Sequence, residues 1–374
     1  MTPNWFAAIM GTGIVATSGV ALHSSAPGLD TLTTVFWLTA ATGLVVASIL
    51  FFRGGPARHA ADPVMAHFYG APAMALLTVG AGTIELAPQF IGQGAAVWIG
   101  GLLWLCGTAV GVFTAIWIPF RMITGAQSAQ SGAMPSWLMP VVPPMVSAAT
   151  GSLLIQHVSA GQLRMGLITI CYGLFGLSLL VGLLTISMVY SRLIHRGLPS
   201  SQVAPTVWIM LGMIGQSVTA AVLLGNQASL VFVGEQESIA AGLRLLGVGY
   251  GLVMGGFAVF VFILATSITV HNVRQGMSFT PAWWSFTFPV GTCVTGAAAL
   301  GLATGSVLLQ GISVVLYALL LCAWCTVAYR SVRMVVVDRF TEAAVATVAL
   351  TAPTAPSRKV VQRVPVGAAG LSVR

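Results

Sequence analysis

Cys322 and Cys325 frame the tetrapeptide CAWC, a spacing shared by redox pairs and metal-binding knuckles. That chemistry needs an accessible loop and partner ligands, and both cysteines lie in an unbroken apolar run. They read as small packing residues, as do Cys106, Cys171 and Cys293. The six histidines stand near the ends of apolar runs, with no His-Glu-x-x-His pattern and no paired carboxylates. Neither metal chemistry nor acid–base catalysis has a visible seat, so no enzyme activity, metal or cofactor is expected. His67 and Glu85 remain as candidates for moving a proton. GVGYG at Gly247–Gly251 has the composition of a potassium filter, but it lies in a long apolar helix, where close packing through small residues is the better reading. GTGIVA from Gly11 has the glycines of a nucleotide loop but no strand ahead of it.

What surrounds these residues is hydrocarbon-like. Charged residues make up 6% of the 374 and apolar ones 57%, against roughly 25% charged in a soluble domain. A water-facing surface cannot be made from this chain. The expectation is an all-α integral membrane protein with ten spans, near 5–22, 32–52, 64–86, 96–120, 138–156, 162–190, 205–225, 240–270, 283–305 and 307–329. They form one transmembrane domain over 1–335, followed by a short disordered tail over 336–374. Thirteen of the fifteen basic residues follow even-numbered spans or lie in the tail; only Arg164 and Arg244 stand on the other side. The positive-inside rule then puts both termini in the cytoplasm. The net charge of +8 reports this topology, and no nucleic-acid partner is expected. Arg164 and Arg244 read as interfacial arginines or as an electropositive mouth.

Prolines sort the spans. Pro72, Pro140, Pro143, Pro144 and Pro289 fall in odd spans, and Pro3 and Pro205 open two more; even spans have none except Pro119 near the end of the fourth. A proline inside a helix frees a carbonyl that lipid cannot satisfy. The odd helices are therefore expected to be kinked and to surround a central pore, each paired with a plain even helix in five hairpins. Candidate lining residues around the breaks are Gly11, Thr12, Gly13, Pro72, Thr78, Pro143, Pro144, Ser147, Thr150, Gln216, Ser217, Thr219, Pro289, Thr292 and Thr295. These are hydroxyls, an amide and backbone, with no charge at any span centre. Such a path disfavours cations, whereas freed N–H groups and helix-end dipoles suit an anion.

Four segments in order, PNWFAAIMGTGIVA (3–16), HFYGAPAMALLTVGAG (67–82), LMPVVPPMVSAATGSLL (138–154) and WWSFTFPVG (283–291), resemble the tellurite-resistance/dicarboxylate transporter family. That family includes a yeast malate transporter, sulfite efflux pumps and plant slow anion channels. The resemblance covers about residues 3–335. It implies ten helices around a pore in each protomer of a homotrimer in the plasma membrane, and passage of a small anion, C4-dicarboxylates such as malate first. It also implies a pore plugged by Phe288, with Phe68 as a second gating ring. Sulfite, tellurite or an inorganic anion is the alternative cargo. Two different activities also fit: proton-coupled symport using His67 or Glu85, and a scaffold subunit that transports nothing.

Overall fold

The computed structural model describes residues 1–24, 26–60, 62, 65–125 and 132–351, the stretch 338–351 as helix backbone only. Every regular element among the described residues is helical. The long helices are α1 (Phe6–Ala21), α2 (Leu29–Arg53), α3 (Gly70–Leu86), α4 (Gln93–Thr124), α5 (Pro143–Ile155), α6 (Gln162–Arg196), α7 (Trp208–Gln227), α8 (Glu237–Arg274), α9 (Thr287–Thr304) and α10 (Val307–Thr351). Among the described residues, eight helical segments are long and apolar enough to cross a membrane. The two helices outside that set, α1 and α3, have 16 and 17 residues. Met1–Arg330 forms one compact unit, and Ser331 begins a second.

The odd helices close into a ring. α1 packs on α3, α3 on α5, α5 on α7, α7 on α9, and α9 returns to α1. Each even helix from α2 to α8 packs against the odd helix before it and the odd helix after it. α10 reaches α1 through Trp324, whose indole Nε1 donates to Thr12 Oγ1 at 2.9 Å. Burial follows this division. In an apolar 18-residue stretch of each ring segment Pro135–Ile155, Ala204–Leu230 and Pro281–Thr304, 89%, 94% and 61% of the residues are buried, whereas no outer segment exceeds 33%. A helix covered on every side must bring backbones close. A Cβ on Gly215 of α7 would sit 2.6 Å from Thr292 Oγ1 and 2.8 Å from the Cys293 nitrogen of α9. The same logic explains GVGYG on α8: Gly247 and Gly251 abut α7 and α9, while Gly249 faces open space.

Every ring helix is entered through a 3-10 turn: Pro3–Trp5, Met65–Tyr69, Pro135–Leu138, Ala204–Val207 and Pro281–Phe286. These turns touch one another in the same cyclic order as the helices, forming a collar at one end of the ring. The collar corrects the proline expectation. Pro72 and Pro289 are the third residues of α3 and α9, Pro143 and Pro144 open α5, and Pro3 and Pro205 lie within turns. First-turn positions need no N–H, so these prolines begin helices and do not kink them midway. The break is a change from 3-10 to α geometry.

Two boundaries sharpen. α9 and α10 are separated at Gly305, which takes a left-handed φ of 68°. α10 runs on to Thr351, and 352–374 lies outside the described residues.

Candidate functional site

The ring encloses a void of about 10 Å³ near its collar end. Met10 of α1, Met74 of α3, Met139 from the turn before α5, Ile209 of α7 and Phe288 of α9 all line it, so each ring member contributes. The space is at the threshold for one water and far below the size of an anion. Phe288 is 2% exposed. Its placement follows from the local chain. Thr287 begins α9 and its Oγ1 donates to the Trp284 carbonyl at 2.8 Å. Pro289 then fixes the first turn and lies against Gly212 of α7, where an added Cβ would be 3.2 Å from the proline ring. Phe286 packs edge-on against Trp208 and Trp283, with ring centroids 5.7 and 5.6 Å away, and does not line the void. Three of the side chains around the Phe288 ring are methionines, whose unbranched chains adapt readily.

Helical periodicity carries these faces deeper into the ring. Residues four, seven or eleven positions on return to the same side. That puts Thr17 beyond Met10, Glu85 beyond Met74, Gln216 beyond Gly212, and Thr292 and Thr295 beyond Phe288. The threonines are engaged. Thr292 Oγ1 donates to the Pro289 carbonyl at 2.7 Å, and Thr295 Oγ1 lies 2.8 Å from Thr219 Oγ1. Gln216 is 4% exposed and its Oε1 is buried with no hydrogen-bond partner. Glu85 is half-buried, with Oε2 equally unpartnered.

Several expected lining residues face elsewhere. Thr12 points outward, donating to the Ala8 carbonyl and accepting from Trp324 of α10. Gly11 abuts Trp284 and Thr287, and Gly13 abuts Thr78 of α3, so GTG is a packing seam. Pro143 packs against Gly111 of α4. Ser147 donates to the Pro143 carbonyl, while its own carbonyl accepts from Trp104 of α4 at 2.9 Å. The cause is common to all: each ring helix has two ring neighbours and two outer ones, leaving one narrow face for the axis. Pro144 is buried and Pro72 half-buried. His67 and Phe68 are buried in the collar, where the His67 ring stacks on Trp137 at 6.3 Å; neither lines the void with Phe288. Arg164 donates to the Val158 and Leu230 carbonyls, tying two loops together. The methionines escaped notice in the sequence because a lone methionine reads as core. Only counting helical turns back from each ring seam reveals them.

No metal-ligating cluster of histidine, cysteine or carboxylate occurs among the described residues. The family described as SLAC1, voltage-dependent anion channel, matches residues 1–332. An uncharacterized transporter of Methanocaldococcus jannaschii is 28% identical over 79% of this chain and 82% of its own length. The sulfite efflux pump SSU1 of Trichophyton rubrum is 26% identical over 80% of this chain and 81% of its own. The malic acid transport protein of Schizosaccharomyces pombe is 23% identical over 65% of this chain and 56% of its own.

Proposed function

Because this chain belongs to the SLAC1 voltage-dependent anion channel family, we propose that it passes a small anion along the axis of its helical ring. Phe288 is the gate of that path. The observation that carries this reading is the void to which every ring member contributes, filled to near closure beside the Phe288 ring. The path has no basic residue, and an anion is held weakly enough to leave. Five helix N-termini gathered at the collar add favourable dipoles at one mouth.

In this reading all ten long helices span the bilayer as five hairpins. The turns Pro3–Trp5 and Met65–Tyr69 extend α1 and α3 to the length that hydrocarbon requires. The basic residues put the collar and both termini on the cytoplasmic side. Three copies assemble through the outer helices, each with its own pore.

A sulfite-class oxyanion is the first cargo, on the strength of the more complete match to the sulfite efflux pump. A C4-dicarboxylate such as malate is the second, favoured by the malic acid transport protein. The test is flux of sulfite, malate, nitrate and chloride through purified protein in proteoliposomes. Opening by Phe288→Ala should raise flux of the true cargo most. A folded Phe288→Ala protein with unchanged flux of all four anions refutes the gate. A wild-type and mutant pair that pass none refutes transport and leaves the scaffold reading.

A further inference from the structure

Gln216 and Glu85 are the exceptions on a face whose hydroxyls are all engaged. The hydroxyls around Gln216 are spent on neighbours: Thr292 on the Pro289 carbonyl, Thr295 on the Thr292 carbonyl, Ser217 on the Ile214 carbonyl while it accepts from the Tyr250 phenol, and Thr219 on Thr295. Gln216 stands one helical turn past Gly212, about 6 Å deeper than the void along α7. Its neighbours on α7 fix its direction. Gly215 and Thr219 meet α9, Ser217 meets α8, and Met213 meets Gly182 of α6. Gln216 stands on the same side of α7 as Gly212, which lines the void. There its Oε1 is buried and unbonded in a side chain only 4% exposed.

A buried amide without partners is costly unless something supplies them. This one offers a carbonyl acceptor and an NH₂ donor side by side, and exchanging the two atoms leaves the pair intact. Chloride and nitrate bring acceptors only and satisfy one half. A doubly charged oxyanion also brings only acceptors, with a second charge that no cation on the ring offsets. An oxyanion that keeps one proton satisfies both halves, donating its O–H to Oε1 and accepting from the NH₂ group.

We propose that Gln216 is a selection point for singly charged oxyanions that retain an O–H, of which hydrogen sulfite and a hydrogen dicarboxylate are examples. This rests on the transport reading above and specifies the ionic form that moves. Selection is by the substrate's protonation and not by titration of the protein. The titratable groups on the ring helices are Glu85 on α3 and Cys293 on α9. From the surrounding helices, Tyr250 faces α7 and donates to Ser217.

The probes are sulfite and nitrate, measured in proteoliposomes containing the full chain opened by Phe288→Ala, over the pH range in which hydrogen sulfite loses its proton. Sulfite flux should follow the hydrogen sulfite fraction, and nitrate flux should not change with pH. Adding Gln216→Met, which keeps the volume and removes both polar atoms, should lower the sulfite-to-nitrate flux ratio about tenfold, the size of one lost hydrogen bond. Gln216→Asn, which shortens the reach by one methylene, should lower the ratio in the same direction and serves if the methionine variant does not fold. An unchanged ratio in either folded variant overturns the proposal. A pH profile that disappears in Glu85→Gln also overturns it, because the proton would then belong to the protein. Absence of both fluxes in the Phe288→Ala parent overturns the transport reading itself, and this inference with it.

Discussion

α7 and α8 follow one another in the chain and pack along their length, yet in an apolar 18-residue stretch of each, 94% of the residues of Ala204–Leu230 are buried and only 22% of those of Gly234–Arg274. Both carry an apolar stretch long enough to cross a membrane, so apolarity did not assign one to the ring and the other to its rim. The difference lies in small and hydroxyl residues. Gly215 and Gly225 of α7 take backbone from α9 and α8 at van der Waals limits. α8 bears Gly249, Gly255 and Gly256 on faces with nothing near them. Hydroxyls divide the same way. Thr219 of α7 reaches Thr295 of α9, while the exposed Ser267 of α8 bends back to its own Ile263 carbonyl. A hydroxyl between ring helices can serve both of them, while one exposed on the rim is satisfied within its own helix.

The strongest way to break this comparison is to remove a ring side chain at the axis and an equally bulky one on the rim. Phe288→Ala should raise anion flux roughly tenfold or more, each factor of ten corresponding to about 1.4 kcal/mol of barrier. Phe260→Ala on the exposed face of α8 should leave flux as it is. A smaller effect separates two glycines. Gly215→Ala should lower the thermal stability of the detergent-solubilised protein by about 1–3 kcal/mol, the cost of overpacking, because α9 backbone blocks the added methyl. Gly249→Ala meets open space and should not lower it. Equal melting temperatures for the two variants would mean that the seam is looser than its distances. The smallest effect concerns indoles. Trp104→Phe removes the bond to the Ser147 carbonyl and should cost about 1 kcal/mol. Trp98→Phe, at 82% exposure, should cost nothing measurable in the same melt.

Much of this division was legible in the residues, though partly for a mistaken reason. Prolines do mark the ring helices, but Pro72, Pro143 and Pro289 mark where those helices start and not where they bend. The same positional signal served because a helix that begins beside a collar and one kinked at a pore both collect proline in the odd spans. Which face of each helix meets the axis was not legible. Thr12 and Gly13 are adjacent, yet one accepts from Trp324, 312 residues away, and the other lies on Thr78. That choice depends on the ring closing between α9 and α1, a contact between chain ends that local pattern does not encode. Met10, Met74 and Met139 come together for the same reason. Phe288 stands out in the sequence as the aromatic just before Pro289 in an odd span, and the resemblance carried by WWSFTFPVG adds the role of a plug.

The central claim is that anions move through the ring axis past Phe288, and labelling from within that axis tests it most directly. In a Phe288→Ala protein with Cys293 replaced by Ala, a cysteine at Thr17, one face and seven residues beyond Met10, would be exposed to the path. A charged, membrane-impermeant thiol reagent should then block sulfite or nitrate flux in Thr17→Cys, and should not in Val253→Cys on the lipid-facing side of α8, where the native residue is 75% exposed. Flux that survives complete labelling at position 17, or that is blocked equally from position 253, would contradict the account.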